Sequence, residues 1–562
     1  IFPQQPNSPL MTTQPNYLHT GNYHDGKKSL ADMNKLIGKG YSPIVADDII
    51  SEPYAKGTKF TSRPDDPYNK VSIESLSGDL QLFDGRMNHN NGWFVLRSNI
   101  KPGVTKGAVK WIITPNVVAD WMYQPVIQTS QIGYHPTQDK EAVIEMDIRD
   151  NRKETAQIIR IDADGEKVVK NVTPANWGKF LRYNYLKVNF TDVKEPGLYK
   201  IKYNTSVSPI FRIDNDVYAR GVWQPVLEYF LPVQMCHMRV NEKYRVWHDC
   251  CHMDDAQMAP AHNHIDGYDQ KEGLSKFKPG EVVPGVNIGG WHDAGDFDLR
   301  IESQAGESYI LALAYEAFHP NLDVTSIDQI NRVTEIHQPD GKNDLLQQVE
   351  NGALTVVNGY LALGRLYRGI ICNDLRQYVL LGDAAAMTDG KIGNEDDRWI
   401  FTEDNPGREL STAAQLAAVS RVLKGFNDTL SVHCLDIARK VYASTGNGNN
   451  RALFPKVQAA VELYLTTGEQ PYMDFILDNK ELIIKQIGRI GWYTARVEKQ
   501  FAQMKNKKAK AFSTAFRKAL TGYEQELNKQ VQETPYGIPY RPHIWGAGWD
   551  IQRFGFQHYF LT

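Results

Sequence analysis

Two carboxylates, Asp293 and Asp296, lie three positions apart in the run Gly-Gly-Trp-His-Asp-Ala-Gly-Asp at 289–296. The small residues between them allow the backbone to fold tightly, so both side chains can face one water molecule. One carboxylate would accept a proton from that water while the other holds the water in place. The last four residues of the run, Asp-Ala-Gly-Asp, could instead form a helix cap followed by a turn, or half of a calcium site. The pattern by itself is compatible with water activation and with either structural alternative.

Cysteines and histidines near this run form a candidate zinc site. Cys236, Cys251, His252 and His292 offer two thiolates and two imidazoles, a tetrahedral set that suits zinc and leaves no coordination position open. A closed site of this kind stabilises structure and does not activate water. The competing ligands in the same region are Cys250, His248, His262 and His264. Buried thiols that bind no metal are the alternative interpretation.

Two acidic stretches are candidates for structural calcium. They are the pair at 254–255 and the run Glu-Asp-Asp at 395–397. Calcium binds carboxylate oxygens, but solvated turns explain these stretches equally well.

Aromatic residues make up 11% of the chain, and aromatic faces can bind the apolar faces of sugar rings. Four tryptophans are candidates for such stacking if the partner is a sugar. They are Trp291, Trp492, Trp545 and Trp549. Packing in the core is the competing interpretation for each of them.

Composition excludes several classes of partner. The 562 residues include 63 Lys plus Arg and 66 Asp plus Glu, a formal net charge of −3, which would not attract nucleic acid or anionic lipid. Apolar runs stay shorter than the roughly eighteen residues that a bilayer requires, so we predict no membrane span. Five cysteines, an odd number, argue against a disulfide scaffold. The chain starts at Ile1 and not at Met, which is consistent with a processed product. Separately, we expect the protein to act as a monomer.

The elements that must position these residues fall into three regions. Residues 1–125 contain short alternating apolar stretches among Pro, Asn, Asp and Gly, which predict strands joined by irregular loops. Residues 126–214 show strand patterns at 142–146, 156–161, 185–190 and 198–203, which indicate a small β-sandwich. From 215 to 562 the period changes to 3.6, and the region looks almost wholly helical. The predicted helices are 221–235, 303–318, 343–370, 410–426, 429–445 and 451–467.

The run at 289–296 resembles the signature of glycoside hydrolase family 9. Gln-Thr-Ser-Gln-Ile-Gly-Tyr-His-Pro at 128–136 resembles the first strand of the immunoglobulin-like module that precedes many of these catalytic domains. Three further segments, at 343–352, 411–421 and 536–546, are similar to later helices and turns of the family. The matches cover residues 126–562 in the family's order.

The resemblance implies a multidomain fold and an activity. An all-β N-terminal region (1–125) and an immunoglobulin-like β-sandwich (126–214) would precede an all-α (α/α)6 catalytic barrel (215–562). Asp296 would act as general base, and Asp293 would orient the water. The reaction implied is endo-acting, inverting hydrolysis of β-1,4-glucosidic bonds in a plant-type β-glucan: cellulose, mixed-linkage glucan or xyloglucan. No catalytic cofactor is implied, and the polysaccharide partner predicts a secreted, periplasmic or cell-surface bacterial protein.

The resemblance also bears on the metal and on the acid. Relatives with the immunoglobulin-like module place zinc at positions that correspond to Cys236, Cys251, His252 and His292, where it would brace the loop of Asp293. The family's acid Glu is not recognisable before Thr562, so we expect the barrel to be incomplete at its C-terminal end. The nearest carboxylates, which we do not assign as the acid, are Glu524, Glu526 and Glu533. The alternatives are a non-catalytic glycan-binding protein that lacks the acid, and an exo-acting glycosidase.

Overall fold

The computed structural model describes residues 53, 55–85, 93–260, 270–271, 273–293, 297–372, 385, 388–394, 397–446, 450–541 and 547–561. Asp296 and Trp545 lie outside these ranges, as do His262, His264 and residues 395–396, and the Trp549 side chain is also not described. The chain divides into two compact units. The first unit contains Ile1–Val118 and Glu228–Gly468, and the second contains Ala119–Leu227 and Glu469–Thr562.

The N-terminal part of the first unit contains two three-stranded antiparallel sheets. One has the order β1-β4-β5 and the other the order β2-β3-β6. The strands are β1 (Ala55–Gly57), β2 (Lys59–Ser62), β3 (Val71–Ser75), β4 (Leu80–Gly85), β5 (Trp93–Arg97) and β6 (Trp111–Pro115). The expectation of short strands in this region is confirmed for the described residues.

A β-sandwich forms the N-terminal part of the second unit. Its sheets have the orders β11-β12-β8-β7 and β10-β9-β13-β14, with β15 paired to β13. Alternate residues of β8, such as Ala142, Ile144 and Met146, are fully buried, which is the pattern of a strand with one face in the core. The strands are β7 (Val126–Gln128), β8 (Glu141–Asp147), β9 (Ala156–Asp162), β10 (Gly165–Val172), β11 (Ala175–Phe180), β12 (Tyr183–Asn189), β13 (Gly197–Tyr203), β14 (Ser206–Val207) and β15 (Phe211–Ile213).

Short strands interrupt the region that the sequence predicts to be almost wholly helical. Where a helix was predicted at 221–235, a π-turn (Val226–Phe230) leads into the one-turn helix α1 (Leu231–Gln234). Two four-stranded sheets follow, with the orders β17-β16-β21-β20 and β18-β23-β22-β19. Their strands are β16 (Arg239–Glu242), β17 (Arg245–His248), β18 (Gln257–Met258), β19 (Leu299–Arg300), β20 (Thr325–Asp328), β21 (Val333–Ile336), β22 (Gly369–Cys372) and β23 (Arg398–Phe401). The prediction of an almost wholly helical region is therefore wrong for these strand segments, because strands of two to four residues are too short to show an alternating pattern.

Helices complete the first unit. They are α2 (Ile301–Phe318), α3 (Asp344–Leu363), α4 (Pro406–Leu423), α5 (Asp428–Ser444) and α6 (Asn450–Thr467). Helix α2 packs against α3 and α4, and α4 also packs against α5 and α6. Buried alanines at 413, 414, 417 and 418 allow α4 to approach these neighbours closely. Asn343, Asn405 and Asn427 cap α3, α4 and α5 by accepting hydrogen bonds from backbone N–H groups.

Five more helices belong to the second unit. They are α7 (Gln470–Asp478), α8 (Lys480–Lys485), α9 (Ile487–Gln503), α10 (Lys507–Gln530) and α11 (Ala547–Leu561). Helix α9 packs against α8, α10 and α11. No helix among the described residues combines the length and the apolar character that crossing a membrane would require.

Candidate active site

The segment that carries Trp291 and His292 pairs with the backbone that follows α1. The Cys236 N–H donates to the Gly290 carbonyl at 2.9 Å, and the His292 N–H donates to the Gln234 carbonyl at 2.9 Å. Met235 and Trp291 are antiparallel bridge partners between these two bonds. This pairing brings the side chains of Cys236 and His292, far apart in sequence, to the same place.

Two glycines permit this arrangement. Gly289 has φ +67°, and a Cβ there would lie 2.3 Å from the Asn351 carbonyl oxygen. A Cβ at Gly352, on α3, would lie 2.4 Å from the Trp291 ring and 2.2 Å from Ser308 Oγ. Because real Cβ atoms do not approach so closely, only glycine fits at either position.

Trp291 is a packing residue and not an open stacking surface. Its exposure is 1%, and its indole N–H donates to Gln348 at 2.8 Å. The Gln304 side chain accepts from the Trp291 N–H at 2.8 Å and donates to its carbonyl at 2.9 Å. The predicted sugar-stacking role of Trp291 does not fit this burial, because stacking requires a ring face open to the ligand.

Asp293 is held in place while its carboxylate remains partly open to solvent. Its N–H donates to the Asp298 carbonyl at 3.1 Å, and Arg300 Nε lies 3.2 Å from its Oδ2. The Asp293 side chain is 23% exposed. Asp298 is itself fixed, since its Oδ1 accepts from the Cys372 N–H at 2.7 Å. An oriented and accessible carboxylate of this kind can hold a water molecule.

Glu307 on α2 is a carboxyl group that the sequence analysis did not single out. Desolvation by the surrounding protein and then the negative charge of Asp293 raise its pKa to about 7. Its side chain nevertheless opens to solvent. A carboxyl group with such a pKa exchanges protons near neutral pH and is a candidate for acid or base chemistry. The sequence signal that could have found Glu307 was its position on the helix that follows the Asp-Ala-Gly-Asp run.

The structure brings together the four predicted zinc ligands, Cys236, Cys251, His252 and His292. One ligand atom from each lies within 4.8 Å of all the others. Cys236 Sγ is 3.8 Å from Cys251 Sγ and 3.7 Å from His252 Nδ1, and Cys251 Sγ is 3.6 Å from His292 Nε2. Tetrahedral zinc with ordinary bond lengths separates two sulfurs by about 3.8 Å and a sulfur from a nitrogen by about 3.6 Å. The donor set and spacing therefore fit a tetrahedral metal ion.

The electrostatics of this group also suit metal binding. Burial lowers the pKa of His252 to about 3 and lowers the pKa of His292, so both imidazoles are neutral ligands. Burial alone would raise the pKa of Cys236, but the hydrogen bond with Cys251 and the nearby Arg398 charge bring it well below its usual value. The pKa of Cys251 is raised by that hydrogen bond and by burial. One thiolate is thus favoured even before a metal ion binds.

The two competing ligands that the structure describes, Cys250 and His248, are outside this group. Cys250 Sγ contacts the Arg332 carbonyl at 3.8 Å, and each ring nitrogen of His248 lies 2.9 Å from a backbone carbonyl oxygen. A calcium site at 254–255 is contradicted, because the buried Asp255 carboxylate pairs with Arg398.

Trp492 lies in the second unit, on α9. Its ring packs against Tyr493, Phe556 and Phe560, with centroid separations of 5.3 to 6.3 Å. Its predicted sugar contact stays a prediction.

Comparisons with known proteins give a consistent result. Residues 227–554, more than half of the chain, match the model of glycosyl hydrolase family 9, and residues 122–208 match the cellulase N-terminal ig-like domain. A xyloglucan-specific endo-beta-1,4-glucanase from Bacteroides ovatus is 24% identical over 455 residues, which cover 75% of this chain and 72% of that protein. Endoglucanase D from Acetivibrio thermocellus is 19% identical over 378 residues, covering 64% of this chain and 54% of that protein.

Solved structures share the fold at low sequence identity. A metagenome-derived family 9 endoglucanase has a TM-score of 0.59 at 20% identity, over 78% of this chain and 79% of that one. A Zn-binding triple mutant of the family 9 endoglucanase J30 has a TM-score of 0.53 at 18% identity, over 76% of this chain and 78% of that one.

The contact between Gly352 and Trp291 gives a stability prediction. Gly352→Ala should reduce the free energy of unfolding by about 1–3 kcal/mol, because the added methyl group forces the Trp291 ring or α3 to move. Urea denaturation, followed through the unfolding transition of the first unit, measures this change in the free energy of unfolding. Gly306→Ala, on α2 with its nearest neighbouring atom at 3.8 Å, is the matched control and should be neutral or stabilising by about 0.5–1 kcal/mol. Equal effects of the two substitutions would contradict the tight contact.

Proposed function

The chain belongs to glycosyl hydrolase family 9 and is a glycoside hydrolase, and we propose that it cleaves β-1,4-glucosidic bonds of a plant-type β-glucan by endo-acting, inverting hydrolysis. The observation that carries the proposal is the setting of Asp293. Its carboxylate pairs with Arg300 and its backbone N–H donates to the Asp298 carbonyl, yet the carboxylate remains accessible to water. Asp296 follows three positions later in the sequence.

The proposed reaction uses the two aspartates on one water molecule. Asp293, oriented by Arg300, accepts a hydrogen bond from the water, and Asp296 takes its proton as the water attacks the anomeric carbon. Inversion further requires a carboxylic acid about 6.5–9.5 Å from the base, which protonates the leaving oxygen from the other side of the bond. Separating the two groups by this distance leaves room for the water.

The choice of substrate rests on the relatives. The Bacteroides ovatus protein, which is described as xyloglucan-specific, aligns with three quarters of this chain. We therefore place xyloglucan first among the candidate glucans, ahead of mixed-linkage glucan and cellulose. Endo action would release a ladder of oligosaccharides, whereas the exo-acting alternative would release a single product.

The proposal also covers the domain architecture and the cellular location of the protein. We assign the helices of residues 215–562 to an (α/α)6 catalytic barrel and retain the boundaries 126–214 and 215–562 for the immunoglobulin-like and catalytic domains. A polysaccharide substrate and bacterial relatives favour a secreted, periplasmic or cell-surface protein. That it acts as a monomer stays a prediction.

We propose that Cys236, Cys251, His252 and His292 hold a structural zinc ion. When bound, zinc would cross-link the segment after α1 to the segment that precedes Asp293 and take no part in water activation. Because His292 is the neighbour of Asp293, this cross-link would restrict the backbone of the catalytic run.

Replacement of the base tests the proposed reaction. Asp296→Ala should lower kcat on soluble xyloglucan and on barley β-glucan by about 10²- to 10⁴-fold, while affinity electrophoresis shows unchanged glycan binding. Sodium azide, a nucleophile that needs no base, should restore turnover of an activated aryl β-cellobioside. Asp164 is an exposed aspartate in a turn of the sandwich. Asp164→Ala is therefore the control and should leave turnover unchanged. Unchanged turnover in Asp296→Ala would reject the base, and binding without turnover in the unaltered protein would favour the glycan-binding alternative.

Metal analysis tests the zinc site. The purified protein should contain one zinc ion per chain, and a chelator should lower its thermal unfolding midpoint. His252→Ala should abolish zinc retention, because it removes one of the four ligand groups that the structure brings together, a side chain that is only 2% exposed. Cys250→Ser, next in sequence to a ligand but outside the group, should retain zinc. Retention in both variants, or in neither, would contradict the assigned ligand set.

A further inference from the structure

Arg398, on β23, is a charged side chain buried in the first unit behind the catalytic run. Its side chain has 0% exposure. Its Nε donates to the Asp255 carboxylate, its Nη1 donates to the Phe297 carbonyl at 2.7 Å, and its Nη2 lies 3.2 Å from His237 Nε2. Burying a guanidinium is costly unless its donors are satisfied, and here all three nitrogens have partners.

His237 extends this network to the other end of the run. Its Nδ1 lies 2.9 Å from the Gly289 carbonyl oxygen, and the residue is fully buried. Because a guanidinium can only donate, His237 Nε2 accepts from Arg398, and the ring hydrogen is on Nδ1, where it donates to Gly289. Arg398 therefore holds the carbonyl of residue 297 directly and the carbonyl of residue 289 through His237.

The four-stranded sheet β18-β23-β22-β19 fixes Arg398 in this position. Cys372 on β22 pairs with Arg398, and the Cys372 N–H donates to the Asp298 side chain. On the other side, the Ala256 N–H donates to the Arg398 carbonyl at 3.1 Å, which places the neighbouring Asp255 beside the guanidinium. The Asp255 carboxylate offsets the cost of burial and raises the pKa of Arg398 well above its usual value. The cation is thus permanent.

We infer that Arg398 is a positioning residue for the proposed hydrolysis, fixing both ends of the 289–297 segment so that Asp293 and Asp296 address the same water molecule. This inference rests on the proposed function for its kinetic consequence, but the fixing of the segment stands on the contacts alone. The ion pair with Asp255 balances the charge of Arg398 but leaves other guanidinium donors to be satisfied. Those donors reach the carbonyl of residue 297 and, through His237, the carbonyl of residue 289, so the bonds that satisfy the buried cation also fix the two ends of the segment.

The test compares Arg398→Lys with the unaltered protein. Lysine keeps the charge beside Asp255 but cannot serve three separate acceptors in the fixed geometry of a guanidinium. We expect hydrogen exchange to increase in peptides that cover 289–300, and kcat on xyloglucan to fall by about 100-fold with KM little changed. One zinc ion per chain should be retained.

Arg421→Lys is the matched control. Arg421, whose side chain is 15% exposed, also pairs with two carboxylates, Glu316 and Glu462, but it contacts no residue of the 289–297 segment in the described hydrogen bonds. It should lose stability without changing exchange at 289–300 or kcat. If Arg398→Lys cannot be purified folded, Arg398→Met with Asp255→Leu removes both buried charges together and should show the same exchange and kinetic changes.

The outcomes separate this inference from the proposed function. Unchanged exchange at 289–300 in the Arg398 variants overturns the positioning role, whether or not the protein hydrolyses β-glucan. Increased exchange throughout the first unit with loss of zinc also overturns it, because that result indicates a general structural role. If the unaltered protein lacks turnover on every β-glucan, the proposed function fails, and local exchange alone then decides the role of Arg398.

Discussion

The pairing between the backbone after α1 and the segment of Trp291 and His292 is the interaction on which the site depends. Two hydrogen bonds, Cys236 to Gly290 and His292 to Gln234, set this pairing. It simultaneously brings His292 to the other three candidate metal ligands and directs the chain toward Asp293. The close approach requires Gly289 and Gly352, where a side chain would collide with Asn351 or with the Trp291 ring. Small changes in this packing would therefore move the metal ligands and the catalytic run together.

Compensated charge is the second constraint. Arg300 lies between the carboxylates of Asp293 and Asp298, and Arg398 pairs with Asp255 in the interior. Charges removed from water are costly unless paired, so each arginine needs its carboxylate in place. Asp293 differs from Asp255 in keeping part of its surface open, which suits a carboxylate that must still bind water. The same negative charge contributes to the raised pKa of Glu307.

The sequence was most informative where the signal was local. The sandwich strands alternate clearly, and the four Cys and His side chains could be selected by their chemistry; the structure brings these four together. Burial and long-range pairing were not readable. Trp291 appeared to be a sugar platform but fills the core, and β22, whose four residues are all buried, has no alternation to detect. Arg398 and Asp255 are far apart in sequence and meet only through sheet pairing. The predictions for Asp296 and Trp545 fall outside the described residues.

The central claim is that two carboxylates activate one water molecule for direct displacement at the anomeric carbon. Proton NMR of the first products released from a soluble β-glucan tests this most directly, because direct attack by water inverts the configuration. The account predicts that the α-anomer appears first and that the β-anomer follows only by mutarotation. Initial release of the β-anomer would indicate a covalent intermediate and would contradict the account.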